Sequence, residues 1–226
     1  ATTIPSWLTL TDHHDGTATL SGTPQFANAG DNAVDIVVTD GLLSTHQNFH
    51  IDVTTPAATI DSNHTLQVNG TNEADVIHVW RRNGSSIRAQ VNSQIFDFDL
   101  ADIHAINILA FGGDDKVVIN VPNMTSTVLG GDGNDTLQGG VGNEYLVGGQ
   151  GKDALVSCGG IDVLEGDGGK DRLVAGDAAD VLRGSAGNDI IYARNGFADN
   201  IVGGKGSDSA QIDSSLDVLS SIETVL

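Results

Sequence analysis

The apolar positions between residues 130 and 211 recur with a period of nine. Each unit has about six residues rich in Gly and Asp, followed by a short apolar segment. Glycine holds the fourth position in eight of the nine units, and only the eighth unit carries an extra residue. The eighth position is apolar throughout: Leu137, Leu146, Leu155, Leu164, Leu173, Leu182, Ile191, Ile201 and Ala210.

This unit predicts a glycine-rich turn followed by a three-residue strand with one inward side chain. Two units then complete one coil of a solenoid, so each strand pairs with its equivalent eighteen residues away. The acidic sixth positions fall on two opposite edges. The first ladder is Asp135, Asp153, Asp171, Asp189 and Asp208, and the second is Glu144, Asp162, Asp180 and Asp199.

The segments on either side of the repeats follow the same logic less regularly. Residues 65–129 contain short alternating strands, and the turns in them carry Asp75 and Asp114-Asp115. We expect earlier rungs here, with Asp115 stacked below Asp135. Residues 212–226 lose the glycines and end in apolar residues, which indicates a cap that covers the open edge. A type I export signal is the alternative reading of this tail.

Residues 1–54 show period-two alternation broken by Gly, Asn and Pro, which is typical of an antiparallel sandwich. Residues 55–64 would link this part to the solenoid. The expected fold class is therefore all-β, with a partial antiparallel sandwich followed by a parallel β-helix.

Charge narrows the possible partners. The chain has 30 acidic and 10 basic residues, a net charge of -20. That balance argues against binding to nucleic acid or to an anionic membrane. No apolar run reaches the length of about 18 residues that a membrane span needs. The chain opens on Ala1 without an initiating Met, so we expect a segment of a longer polypeptide.

The stacked acids need neutralising. Two carboxylates about 4.8 Å apart repel by roughly 0.9 kcal/mol even in bulk water, and by more near a protein surface. A Ca²⁺ ion between successive turns would remove this repulsion, because it accepts six to eight oxygens from carboxylates and carbonyls. The single cysteine, Cys158, excludes an internal disulfide framework as the stabilising element.

GGDGNDTLQ and the units after it resemble the RTX calcium-binding repeat, which forms a parallel β-roll. The resemblance covers residues 130–211 and implies several bound Ca²⁺ ions. In that family one turn supplies its second and fourth carbonyls and its Asp, and the turn eighteen residues later supplies its first and third carbonyls and its Asp. On the first ladder the implied ligands are Gly131, Gly133, Asp135, Gly148, Gln150, Asp153, Gly149, Gly151, Gly166, Gly168, Asp171, Asp167, Gly169, Gly184, Ala186, Asp189, Ser185, Gly187, Gly203, Lys205 and Asp208. On the second ladder they are Cys158, Gly160, Asp162, Ala175, Asp177, Asp180, Gly176, Ala178, Ala193, Asn195 and Asp199.

Several turns depart from the family pattern. Glu144 is one methylene longer than Asp, and Ala178 would carry backbone strain at positive φ. The extra residue in 193–202 is expected to bulge the turn of Asp199. We therefore expect four sites on the first ladder and two or three weaker ones on the second. Solvated Asp-Gly turns without metal are the alternative.

The N-terminal stretches IPSWLTL, GTATLSGTP and VDIVVTDGLLSTHQNFHIDV resemble an Ig-like or dystroglycan-type cadherin-like module that lacks its first strands. Trp7 would be its core anchor, and Gly22-Thr23-Pro24 a turn.

No catalytic motif is evident, so we expect no enzyme activity. Asp97, Asp99 and Asp102 are the only acidic cluster outside the turns, and they could serve a lyase or epimerase together with Arg81, Arg82 or Arg88. Solvated loop charges explain them more simply.

The expected function is a secreted, calcium-dependent structural or adhesion module at the cell surface, with an extracellular polysaccharide or a cell-surface protein as partner. The alternative is a non-catalytic accessory region, carbohydrate-binding or secretion-promoting, of a larger secreted hydrolase, lyase or epimerase.

Overall fold

A computed structural model describes residues 3–23, 30–39, 41–53 and 57–226 of the chain. It divides into two compact units, Ala1–Pro56 and Ala57–Leu226. The described residues form β-strands and one short 3-10 turn, Leu100–Asp102, so the all-β class is confirmed.

The first unit contains two small antiparallel sheets. β1 (Leu8–Asp12) pairs with β2 (Ala18–Gly22), and β3 (Gly30–Thr39) pairs with β4 (Ser44–Val53). These sheets only partly indicate a sandwich.

Trp7 is half-buried in this unit, and its indole N–H donates to Oδ1 of Asn32 at 3.3 Å. Pro24, the last residue of the predicted turn at Gly22-Thr23-Pro24, lies outside the described residues. Residues 54–56, where the predicted sandwich meets the predicted linker, lie outside them too.

The second unit is a parallel solenoid built from two long sheets. Sheet 1 contains β5 (Ala58–Ile60), β6 (Thr65–Asn69), β10 (Ala105–Gly112), β12 (Thr125–Asp132), β14 (Glu144–Gly151), β16 (Val163–Gly169), β18 (Val181–Gly187), β20 (Asn200–Lys205) and β22 (Val218–Ser220). Sheet 2 contains β7 (Val76–Arg81), β8 (Ser86–Val91), β9 (Gln94–Asp99), β11 (Lys116–Asn120), β13 (Thr136–Gln138), β15 (Ala154–Val156), β17 (Arg172–Val174), β19 (Ile190–Tyr192), β21 (Ser209–Gln211) and β23 (Thr224–Val225).

The strand register confirms the eighteen-residue coil. Leu137 lies opposite Leu155, and Leu146 lies opposite Leu164, each in a parallel pair. Every apolar eighth-position side chain is fully buried, so the two rows of leucines form the core between the sheets. Since each such side chain stacks on its equivalent in the next coil, the period of the sequence becomes the spacing of the core.

The solenoid begins with antiparallel strands. β5 pairs antiparallel with β6, β8 extends sheet 2 antiparallel to β7, and β9 pairs antiparallel with β8. Ala58–Ile60, which belongs to the stretch expected to be a linker, is thus the outermost strand of sheet 1. These strands occupy the edge that the first parallel strands would otherwise expose.

The last coil keeps the ladder hydrogen bonds but lacks the glycine-rich repeat turns. Asp217 accepts the backbone N–H of Asp199 at 3.0 Å, and Glu223 accepts that of Asp208 at 2.7 Å. The tail 212–226 also supplies β22 and β23, which pair with β20 and β21. It therefore continues the stacking of the repeats without their glycines.

On the first ladder the fourth-position glycine is required by the contact between coils. Gly169 has φ +142°, and a Cβ on it would lie 1.4 Å from the carbonyl oxygen of Gly151 in the preceding coil. No side chain fits there, because the obstacle is main chain and cannot rotate away. Ala178 takes the fourth position of its own turn with φ +96°, so the backbone strain expected of it at positive φ applies.

Two alanine substitutions separate crowding from backbone strain. Gly196 also has positive φ (+89°), but a Cβ there meets nothing within 4 Å. We expect Gly196→Ala to cost about 1–2 kcal/mol of unfolding free energy from strain alone. Gly169→Ala should cost clearly more, since its methyl would overlap a carbonyl. Urea unfolding in saturating calcium measures both, and equal losses would contradict the crowding argument.

Candidate metal centre

Acidic side chains stack along both edges of the solenoid, where the chain passes from one sheet to the other. The first-ladder acids precede the short strands of sheet 2, and the second-ladder acids lie at or just before the strands of sheet 1. The structure extends the first ladder downward to Asp115 and Asp75, since the N–H of Asp115 donates to Asp135 and that of Asp75 to Asp115. The predicted stacking of Asp115 below Asp135 is confirmed.

One oxygen of each stacked Asp after Asp75 bonds to the neighbouring turn. The backbone N–H groups of Asp135, Asp153 and Asp171 each donate to Oδ1 of the Asp one coil later, at 2.8–2.9 Å. The second ladder repeats this pattern, with Glu144 donating to Asp162 and Asp162 to Asp180. These bonds hold the acids in register along each edge.

The second oxygen of most of these carboxylates has no partner. Among the described residues, eight stacked acids are at most 3% exposed and bury a carboxylate oxygen that makes no hydrogen bond. They are Asp115, Asp135, Glu144, Asp153, Asp162, Asp171, Asp189 and Asp208. Leaving a buried charged oxygen unsatisfied is costly, so a row of them indicates a binding site for cations.

Burial also makes several of these acids harder to ionise. It raises the pKa of Asp115, Glu144 and Asp171 to about 7, and that of Asp153 to about 6. The charges of neighbouring acids contribute in the same direction, for example Asp153 and Asp189 on Asp171. Without a cation, the stacked carboxylates therefore resist carrying their charges at neutral pH.

Carboxylate and carbonyl oxygens converge beside the first glycine of several first-ladder turns. A Cβ placed on Gly130 would lie 2.2 Å from Oδ2 of Asp135 and 2.5 Å from the carbonyl oxygen of Gly148 in the next coil. The same arrangement recurs at Gly166 and Gly184. Beside each glycine lie Oδ2 of the Asp in its own turn and the carbonyl oxygen of the first residue in the turn one coil later. A carboxylate oxygen and a carbonyl oxygen facing one small space without a side chain suit a hard divalent cation.

Carbonyls would have to supply most of the ligands. Within the described ranges, no three His, Cys, Asp or Glu side chains gather as a possible metal site. Each junction between coils offers two carboxylates, and its turns expose main-chain oxygens. Asp167 and Ser185 adopt φ +68° and +77° at the second position, as Gly131 and Gly149 do with larger positive φ. The predicted carbonyl donors there keep the turn conformation despite their side chains.

The remaining first-ladder ligands predicted from the family pattern lie in these same turns. The carbonyl of Gln150, one of them, already accepts the N–H of Gly133 at 2.8 Å. The ligand assignment itself stays a prediction.

On the second ladder, protein donors already bond several of the predicted ligand atoms. The carbonyl of Cys158 accepts the N–H of Asp177 at 2.9 Å. Gly176 donates its N–H to Oδ2 of Asp180 at 3.2 Å, and the side chain of Asn195 donates to Asp199 at 3.0 Å. Protein donors thus satisfy two carboxylates that the family pattern assigns to calcium.

Sequence reasoning did not place Asp75 in the ladder, because forty residues separate it from Asp115. Its oxygens accept bonds from Thr71 and from the side-chain amide of Asn92, so this end of the ladder is closed by protein donors. Its position five residues after Gly70 repeats the spacing of Gly130 and Asp135, which is the one signal that could have revealed it.

The acidic cluster outside the turns does not converge on a site. Asp97 pairs with Arg88 at 2.7 Å and with Arg82 at 3.3 Å, and Asp99 caps the turn that begins at Leu100. Both acids are exposed, as is Asp102. Arg81 instead donates to the carbonyls of Asn83 and Gly84.

The fold and the stacked acids define a β-roll with metal-compatible turns. Residues 126–155 and 159–191 match the model of the RTX calcium-binding nonapeptide repeat. RTX repeats bind Ca²⁺, and the ladder of buried aspartates is consistent with several calcium sites. These repeats are structural and not catalytic. No curated protein and no solved structure shows a significant match to the chain. In the described part of the chain, no helix is long and apolar enough to span a membrane.

The buried acids predict an unusual pH dependence in calcium-free buffer. The folded-state pKa values of Asp115 and Asp171 lie near 7, above about 3.9 in an unfolded chain, so the folded state holds more protons in between. Stability is then greatest below about pH 4 and is lost as the pH rises toward 7. Circular dichroism melts in chelator at several pH values measure this fall.

Two controls accompany that measurement. Asp171→Asn removes one titrating group and should give a shallower fall between pH 4 and 7. Saturating calcium should reverse the trend, because the ion binds only the ionised carboxylates. A melting temperature that rises with pH in chelator would contradict the prediction.

Proposed function

We propose that this chain is a calcium-dependent extracellular structural or adhesion module whose β-roll folds when Ca²⁺ binds. The observation that carries the proposal is the row of buried carboxylate oxygens without partners along the first ladder. Beside Gly130, Gly166 and Gly184, the free oxygen of the Asp in the same turn faces a side-chain-free space, which the carbonyl oxygen of the first residue one coil later also lines.

Calcium supplies the charge that these turns lack. The residues of consecutive turns hold the ion between them: Asp135 and Asp153 with their neighbouring carbonyls, then Asp153 and Asp171. A site made by two coils exists only when both coils are stacked, so the binding free energy becomes folding free energy. In a compartment with scarce calcium the chain stays loose, and millimolar extracellular calcium folds it.

The first unit is proposed to be the part that meets a partner. Its two antiparallel pairs and the hydrogen-bonded Trp7 support an Ig-like or cadherin-like module. A cell-surface protein or an extracellular polysaccharide is the partner we propose for it.

The second candidate is a non-catalytic accessory region of a larger secreted hydrolase, lyase or epimerase. The ion-paired Asp97 and the exposed Asp102 favour a chain that contributes no reacting group itself. A catalytic domain in the same reading frame would favour this candidate, and further cadherin-like modules would favour adhesion.

Calcium titration of the full chain tests the proposed function. We expect circular dichroism to show β-structure appearing with added calcium, heat in calorimetric titration, and protease resistance that chelator removes. A chain that resists protease equally in chelator and in calcium would contradict calcium-dependent folding.

A matched pair of variants locates the effect. Asp153→Asn should raise the calcium concentration at the folding midpoint about 10-fold or more, because a direct ligand is lost. Asp114→Asn changes the same charge at an exposed position and keeps an oxygen to accept the N–H of Asn134. It should leave the midpoint nearly unchanged, and equal shifts in both variants would point to net charge alone.

A further inference from the structure

The two edges of the solenoid differ at the first position of each turn. On the first ladder every repeat turn begins with glycine: Gly130, Gly148, Gly166, Gly184 and Gly203. On the second ladder the later turns begin with Ser157, Ala175 and Ala193, of which Ser157 and Ala193 are fully buried. The Cβ of the first residue would point into the space between the Asp oxygen and the carbonyl oxygen of the next coil. The side chains of Ser157, Ala175 and Ala193 therefore narrow that space, and they do so on the second edge only.

In the last coils, from Asp180 onward, the free oxygens follow the same division, whereas Oδ2 of Asp162, earlier on the second ladder, has no partner. Oδ2 of Asp189 on the first ladder has no hydrogen-bond partner. Oδ2 of Asp180 on the second ladder accepts the N–H of Gly176, the second residue of its own turn. Thr71 gives the same bond to Asp75, where the first ladder ends.

The side chain of Asn195 bridges the junction between Asp180 and Asp199. Its Nδ2 donates to the carbonyl oxygen of Gly176 at 2.7 Å and to Oδ2 of Asp199 at 3.0 Å. The carbonyl of Gly176 is a second-position carbonyl, which with the Asp side chains belongs to the ligand set expected of an ion. Oδ1 of Asn195 accepts the N–H of Phe197, so the amide nitrogen must be the atom that faces the two oxygens.

From these contacts we propose that calcium loads the first ladder, and that the Asp180–Asp199 junction stacks without it, with the Asn195 amide in place of the ion. The proposal rests on the calcium-dependent folding above and assigns that calcium to one edge of the last coils. The extra residue in the Asn195 turn fits this role. The turn bulges outward, with Phe197 43% exposed and open space beside Gly196, while Asn195 is anchored by Asp213. Glu144 is a separate case, because its longer side chain accepts a bond from Gly142 within its own turn.

Asp189 and Asp199 form a matched pair for the test. Each is 1% exposed, and each accepts the backbone N–H of the preceding Asp in its ladder at 2.8 Å. Bound calcium per chain is counted by equilibrium dialysis and atomic emission for the full chain and for both Asn variants. We expect Asp189→Asn to lose one or two ions per chain and Asp199→Asn to lose none. Equal losses in a loaded protein overturn the one-edge assignment.

Crystallography of the wild-type chain with calcium gives an answer that does not depend on how the variants fold. Anomalous scattering should place ions between Asp171 and Asp189 and between Asp189 and Asp208, with none between Asp180 and Asp199. An ion at the Asn195 amide position overturns the proposal. A wild-type chain that binds no calcium at all refutes the proposed function itself, whereas an ion on both edges refutes only the one-edge assignment.

Discussion

The stacking of buried carboxylates is the constraint on which the rest of this solenoid depends. Parallel coils place equivalent acids about 4.8 Å apart, and burial removes the water that would screen them. The hydrogen bond from each turn to the next satisfies one oxygen per acid and fixes the register. The other oxygen remains without a donor, so the stack holds its charges only with a cation between coils.

The leucine rows and the glycine turns make this arrangement possible. Leu155, at 0% exposure, stacks between Leu137 and Leu173, which brings the turns of successive coils into direct contact. At that distance the carbonyl of Gly151 meets the α-carbon of Gly169, and any side chain would separate the coils. The apolar core and the polar edge are therefore two consequences of the same nine-residue unit, and neither is set independently.

Both ends of the first ladder and the last turn of the second ladder are closed by ordinary protein donors and acceptors. Thr71 and Asn92 take the oxygens of Asp75, and Asp217 and Glu223 accept the last main-chain N–H groups. Within the second ladder, Asn195 provides the same kind of closure in mid-stack. A side-chain amide or a main-chain N–H satisfies one oxygen at a fixed geometry, whereas an ion binds oxygens from two coils. Coils closed by protein donors therefore stack permanently, and coils joined by an ion stack only when calcium is bound.

The sequence by itself determined the coil length, the core positions and the two acid ladders, because every residue of a repeat meets its own equivalent eighteen positions away. Local spacing is then sufficient to predict contacts. Only the tertiary structure decided which carboxylate oxygens are free. Asp75 is bonded by Asn92, which lies between β8 and β9, and Asp199 is bonded by the Asn195 side chain in a bulged turn. The tertiary structure likewise added Asp75, whose forty-residue separation from Asp115 obeys no period, because the inserted strands β8 and β9 lengthen that coil without changing its register.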